Sequence, residues 1–134
     1  QYNAFNAGIW EKMESYLRDY WNKDAFRDTL FVCKGGTIDK SEQILMYNKT
    51  GLIVPRYFFM ALLCKKGNTY KALGFWVEHK NENRQKDNLS LYVVPVRYIE
   101  EQTGLDFFCN LPDDVEEQVE TATTANIVSL WNVK

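Results

Sequence analysis

Gln1-Tyr2-Asn3-Ala4-Phe5-Asn6-Ala7-Gly8-Ile9-Trp10-Glu11-Lys12-Met13-Glu14 is the stretch on which the reading of this chain turns. Just beyond it, Trp10, Met13, Leu17, Tyr20 and Trp21 recur at spacings of three and four. That places them on one apolar stripe and predicts a helix from about Ala7 to Asn22. Asn6 precedes the helix as an N-cap, its side chain able to accept from an unsatisfied backbone N–H. Lys12, Ser15, Asp19 and Asn22 form the polar face. At about 100° per residue, Glu14 lies about 40° and Arg18 about 80° from Trp10. An amide, a carboxylate and a guanidinium thus share one edge of the stripe. The plain reading of that edge is a cap plus an i, i+4 ion pair worth a few tenths of a kcal/mol.

Outward from the helix, the pattern shifts to extended runs. Thr29-Leu30-Phe31-Val32-Cys33 reads as a strand broken by Gly35-Gly36. Thr37 to Lys49 is polar and irregular apart from Ile44-Leu45-Met46-Tyr47, with a turn at Asn48 to Gly51. Leu52-Ile53-Val54-Pro55 is short and extended, and its proline places it near an edge or strand end. Tyr57 to Cys64 is a continuous apolar run, Lys65 to Asn68 a turn, and Tyr70 to Glu78 the return strand of an antiparallel hairpin. His79 to Asn88 is a hydrophilic loop, which predicts a solvent-exposed His79. Leu91 to Val96 is extended and interrupted by Pro95. Tyr98 to Gln102 is a short helix closed by Gly104. Leu105 to Phe108 is an apolar patch. Leu111-Pro112-Asp113-Asp114 opens a last helix to about Thr121, with acids in its first turn. Thr121 to Asn126 reads as a loop, and Ile127 to Val133 docks back on the domain. The order predicts one α+β domain over residues 1–134, an antiparallel sheet packed with a long N-terminal helix and shorter C-terminal helices.

Composition narrows the function classes. A chain of 134 residues with 46% hydrophobic and 15% aromatic content can bury a core and is unlike a disordered segment. No apolar run reaches the length of about 18 residues that a membrane-spanning helix needs. The first residues lack the basic and apolar regions of a signal peptide, so any leader would belong to a precursor. With 16 basic and 18 acidic residues the net charge is −2. A module that binds nucleic acid by charge alone is expected to be basic. Phosphate contact here would need a local cluster or a cation. Cys33, Cys64 and Cys109 are not at zinc-finger spacing and the chain has 1 histidine, so no structural zinc is expected. Cys33 and Cys64 each end a strand-like run. They could pair if those strands are neighbours, and buried free thiols are the equal alternative. His79 has no cysteine or serine motif beside it, which argues against a nucleophilic pair. Gly35-Gly36 lacks the spacing of a phosphate-binding loop. Asp113, Asp114, Glu116 and Glu117 read as a solvated helix start.

The opening stretch resembles the second signature of the DNA/RNA non-specific endonucleases, which are ββα-metal enzymes. Gln1, Asn6, Gly8, Trp10, Met13 and Glu14 match it, and Arg18 matches an arginine on the same helix. Leu52 to Pro55 and Ala72-Leu73-Gly74-Phe75 are similar to later segments of that family. Val96 to Glu100 with Thr103 to Phe108 is similar to its C-terminal signature. The resemblance implies a role for each matched residue. Asn6 would bind Mg²⁺, or another divalent cation, with waters completing the shell. Glu14 would hold metal-bound waters, and Arg18 would contact a phosphate of the DNA or RNA substrate. Together Glu14 and Arg18 would be the catalytic residues present. The resemblance also implies a histidine base in an Asp-Arg-Gly-His motif upstream of the asparagine helix. That motif is absent, and His79 is far downstream in another context. The expectation is the C-terminal part of an endonuclease domain, with little or no activity of its own. The alternative is a non-catalytic binding or interaction domain that keeps the nuclease fold. Relatives are commonly exported, which implies a periplasmic, cell-envelope or extracellular location and would suit a Cys33–Cys64 disulfide. Some relatives dimerise, so the resemblance also allows a homodimer.

Overall fold

Ten apolar-rich residues, Tyr57–Lys66, and ten returning ones, Thr69–Glu78, form the central hairpin (β4 and β5). The structure, a computed structural model, describes residues 2–37, 43–47, 51, 53–108 and 111–134. β4 and β5 pair antiparallel from Tyr57 opposite Glu78 to Lys66 opposite Thr69. Their turn is pinned where Gly67 N–H, at φ 59°, donates to Asp28 Oδ2 at 2.6 Å. That bond, with Lys66 and Lys65 nearby, holds the Asp28 carboxyl below its ordinary range.

β1 (Thr29–Gly36) adds to one side of β4, and the short β6 (Val93–Val94) to the far side of β5. β2 (Ile44–Tyr47) and β3 (Ile53–Pro55) form a separate two-stranded ribbon with a bulge between Ile44 and Met46. Three helices follow: α2 (Val96–Thr103), α3 (Asp113–Glu120) and α4 (Thr124–Trp131). The N-terminal rod, α1, spans 3–21. The α+β class with an antiparallel sheet, long N-terminal helix and shorter C-terminal helices is therefore as expected.

Alternation along β4 and β5 explains why their sequence reads as one apolar run. Met60, Leu62, Cys64, Leu73, Phe75 and Val77 face one core with α1 and α4. Phe59, Ala61, Leu63 and Ala72 face a second core with Val96 and Ile99 of α2, Phe107 and Val119 of α3. A strand covered on both faces loses polar alternation.

Several local expectations change. Gly35-Gly36 do not break β1 but continue it, opposite Phe59 and Phe58. A side chain at Gly36 would collide with Pro55, whose Cγ lies 2.6 Å from where a Cβ would sit, so the ring takes that space. Cys33 and Cys64 sit on neighbouring strands, yet both are free. Cys33 opposes Ala61 while Cys64 opposes Leu30, an offset of odd parity that puts the thiols on opposite faces. The expected disulfide is therefore corrected: its geometry requires Cβ atoms about 3.5–4.5 Å apart on one side of the sheet. Residues 124–126, read as loop, open α4, capped where Thr123 Oγ1 accepts from Asn126 N–H at 3.3 Å. Gly104 does end α2 in the left-handed conformation, at φ 73°. The turn expected at 48–51 lies outside the described residues except for Gly51, at φ 84°. Gln1 and Cys109 are also outside them. Among the described residues, no helix is long and apolar enough to cross a membrane.

Candidate active site

The rod α1 begins at Asn3, four residues earlier than its periodicity indicates, so Asn6 is inside it. Helix from Asn3 is kinked at Gly8, whose backbone leaves the helical angles (φ −102°, ψ −110°), and continues through Glu11–Tyr16 to Trp21. Asn6 has helical backbone angles (φ −65°, ψ −42°) and its N–H bonds Tyr2 O at 3.0 Å, so it is not an N-cap. The buried stripe is Phe5, Ile9, Trp10, Met13 and Trp21, whereas Tyr20, expected among them, is 61% exposed.

His79 fixes the start of the rod. It was expected in solvent and is instead 2% exposed. Tyr2 N–H donates to its Nε2 at 2.8 Å, and its Nδ1–H donates to Pro55 O at 3.0 Å. The ring sits edge-on to Phe5 (5.0 Å) and Phe58 (5.1 Å). Burial pushes its pKa down and outweighs the Pro55 carbonyl, which pulls it up. It is a neutral structural histidine. Composition gave no hint of this, since the signal is three-dimensional: a strand end that meets a helix start.

The polar segment that follows His79 is equally tied to the rod. Arg84 donates to Glu78 O at 2.6 Å and its guanidinium lies over the Phe5 and Tyr92 rings. Tyr92 O–H donates to Asp87 Oδ2 at 2.5 Å; burial, and then that bond, pushes its pKa up to about 12. Lys12 Nζ donates to Asp87 O. Gly8 is where the rod meets this segment: an added Cβ would lie 2.9 Å from Asn83 Oδ1 and 3.2 Å from Arg84 N.

The three residues singled out from the sequence are less enclosed. Asn6 is exposed, and among the described residues its amide side chain has no hydrogen-bond partner. Glu14 is half-buried and takes an ion pair from Lys34 Nζ of β1 at 2.9 Å. Lys34 opposes Met60 in the sheet, so it rises on the face that carries α1. Arg18 does not pair with Glu14, as i, i+4 spacing suggested. It donates to Ser15 Oγ at 3.2 Å and lies 3.7 Å from Glu11 Oε1 and from Asp19 Oδ1. Lys34 is the member of this edge that sequence reading missed, because the strand register that brings it to Glu14 is not visible in local spacing.

Residues 1–114 match the DNA/RNA non-specific endonuclease family. The chain belongs to that family. A chain in the crystal structure of the EndoG/EndoGI complex, titled for the mechanism of EndoG inhibition, has a similar fold. Its TM-score is 0.65 at 18% identity, over 81% of this chain and 46% of that one. The chain thus spans less than half the length of the chain it matches there. No curated protein matches the sequence.

Proposed function

We propose that this chain supplies the metal-binding helix and phosphate-contacting edge of a divalent-metal-dependent phosphodiesterase that cleaves DNA and RNA. The observation that carries the reading is one set of side chains on α1: exposed Asn6 just before the Gly8 kink, Glu14 held by Lys34, and exposed Arg18 further along. The residues fit a hard cation. Asn6 offers a neutral oxygen, faces solvent and has no competing partner among the described residues. Magnesium bound by one side-chain oxygen would retain most of its waters. When bound, such an ion stabilises charge that develops on the phosphate and leaving oxygen. Asn6 would hold it, Glu14 would orient its waters from a position set by Lys34, and Arg18 would grip a phosphate through its planar fork.

The general base is not among these residues. His79 is the chain's one histidine, and both its ring nitrogens are engaged in the interior. We infer that a base comes from outside these 134 residues and that the chain alone has little or no activity. Purified 1–134 incubated with plasmid DNA and Mg²⁺ is expected to leave it supercoiled. Nicking that vanishes in EDTA and again on Asn6→Ala would overturn this. Joined to a segment bearing the histidine motif, the chain should nick plasmid, and Asn6→Ala should lower that activity by at least a hundredfold. Activity unaffected by Asn6→Ala would remove Asn6 from the site and favour the binding-domain reading.

A further inference from the structure

On the face of the sheet opposite α1, the junction of α2 and α3 gathers carboxylates that the nuclease reading does not use. Arg97 of α2 donates to Glu100 Oε1 at 3.1 Å, Glu117 Oε2 at 2.9 Å and Glu120 Oε2 at 3.2 Å. Glu100 Oε2 also accepts the Phe107 N–H at 2.8 Å, which ties down the segment after α2. Asp106 completes the group: one oxygen from each of Glu100, Asp106 and Glu120 lies within 4.8 Å of the others.

Two observations set this cluster apart from an ordinary acidic surface. Glu120 is 0% exposed, and its Oε1 has no hydrogen-bond donor. A fully buried carboxylate oxygen without a partner is costly and calls for a proton or a cation. The charge is also unbalanced, with the carboxylates of Glu100, Asp106, Glu117 and Glu120 set against the single guanidinium of Arg97. The imbalance reaches the neighbours. Burial, then the charges of Asp106, Glu100 and Asp113, raise the pKa of Glu116. Burial, then the Glu100 carboxyl, raise that of Glu120 more strongly.

We propose that Glu100, Asp106 and Glu120 form a calcium-binding site that clamps α2 and the 104–107 segment to α3. All donors are oxygen, which selects a hard cation. Calcium takes about 6–8 oxygens in flexible geometry and accepts an irregular set of carboxylates, whereas magnesium demands a near-ideal octahedron. Waters on the exposed Asp106 side would fill the remaining positions. The site is independent of Asn6 and of the nuclease reading.

Terbium, a luminescent calcium substitute, and Ca²⁺-dependent thermal shift test this on the 1–134 chain. Wild type and Asn6→Ala should both bind terbium, release it to Ca²⁺, and gain the same rise in Tm with Ca²⁺. Asp106→Asn should weaken binding at least tenfold and lose that rise, with its metal-free Tm not lowered, because Asp106 is exposed and its charge adds to the repulsion. Glu120→Gln should lose binding too, whatever its effect on the metal-free Tm. No Ca²⁺-dependent rise in wild type would overturn the proposal and leave a proton as the occupant. Equal binding by Asp106→Asn, or loss in Asn6→Ala alone, would place the ion elsewhere.

Discussion

Replacing His79 with Phe probes the contact that positions the candidate site. The ring volume is nearly kept, so its edge contacts with Phe5 and Phe58 survive. Both hydrogen bonds are lost, leaving Tyr2 N–H and Pro55 O unpaired. Each such bond contributes about 0.5–1.5 kcal/mol net. Both groups are only part-buried, so water recovers some of the loss. The expected destabilisation is about 2 kcal/mol at pH 7.5. The sign of the pH dependence follows from the lowered pKa, for which burial is the main cause. Above the unfolded value of 6.5 the histidine is neutral in both states and its contribution is complete. As pH falls below 6.5, the unfolded chain takes up the proton first and the contribution is lost towards the lower folded pKa. Urea unfolding of wild type and His79→Phe at pH 7.5 and pH 5 measures this. The gap between them should shrink at pH 5, because only the wild type titrates. Equal stabilities at pH 7.5 would refute the structural role, and a gap that widens in acid would refute the neutral tautomer. The Asn6 amide, bonded to Tyr2 O, should shift in NMR spectra of the variant and so report that the site moves with the lock.

Other consequences can be checked separately. Gly36→Ala puts a Cβ 2.6 Å from Pro55 Cγ; chemical unfolding should show a loss of about 1–3 kcal/mol. Lys34→Ala breaks an ion pair whose partners are 43% and 32% exposed, so its stability cost should stay below about 1 kcal/mol. In an active assembly the same change should lower nicking more than it lowers stability, with Lys34→Arg retaining most activity. Cys33 and Cys64 should both alkylate in denaturant without reductant, and a Cys33–Cys64 cross-linked peptide in mass spectra would contradict the strand register.

The parts of the fold that were legible are those set by local pattern. The β4–β5 hairpin announced itself through two apolar runs around Gly67, and α2 through Gly104. What misled was chemistry decided by distant partners. Gly35-Gly36 carry the mark of a turn, yet aromatic and proline rings from β3 and β4 fill the space above them and keep the strand extended. His79 opens a polar stretch, yet its two nitrogens answer a backbone N–H 77 residues away and a carbonyl 24 residues away. Asn6 looks like a cap because residues before it lack periodicity, but Tyr2 O extends the helix past it. At the candidate site, Asn6, Glu14 and Arg18 were singled out from the sequence; the Lys34–Glu14 ion pair and the absence of a Glu14–Arg18 pair required the folded chain.

The anchoring of α1 explains why so exposed an edge can be well positioned. Its first turn is bonded to His79, Gly8 rests on the 83–84 backbone, and Lys12 reaches Asp87 O. Its last turn is held where Trp21 Nε1–H donates to Trp131 O at 3.0 Å and the two indoles meet edge to face at 5.6 Å. A helix fixed at both ends on its inner side presents its outer side at constant spacing. Catalytic groups need placement to within about 0.5 Å, and rigid elements supply it better than loops. The two anchors should therefore separate by distance. Trp21→Phe, which keeps the packing but leaves the Trp131 carbonyl unpaired, should disturb Arg18 near its end of the rod. His79→Phe should disturb Asn6 at the other. In an active assembly, loss at Arg18 should raise KM by weakening the phosphate grip, while loss at Asn6 should lower kcat, the metal acting on charge that builds in the transition state. If both variants changed KM and kcat alike, the rod would be moving as one body, and the anchors would be stabilising the fold without setting the site.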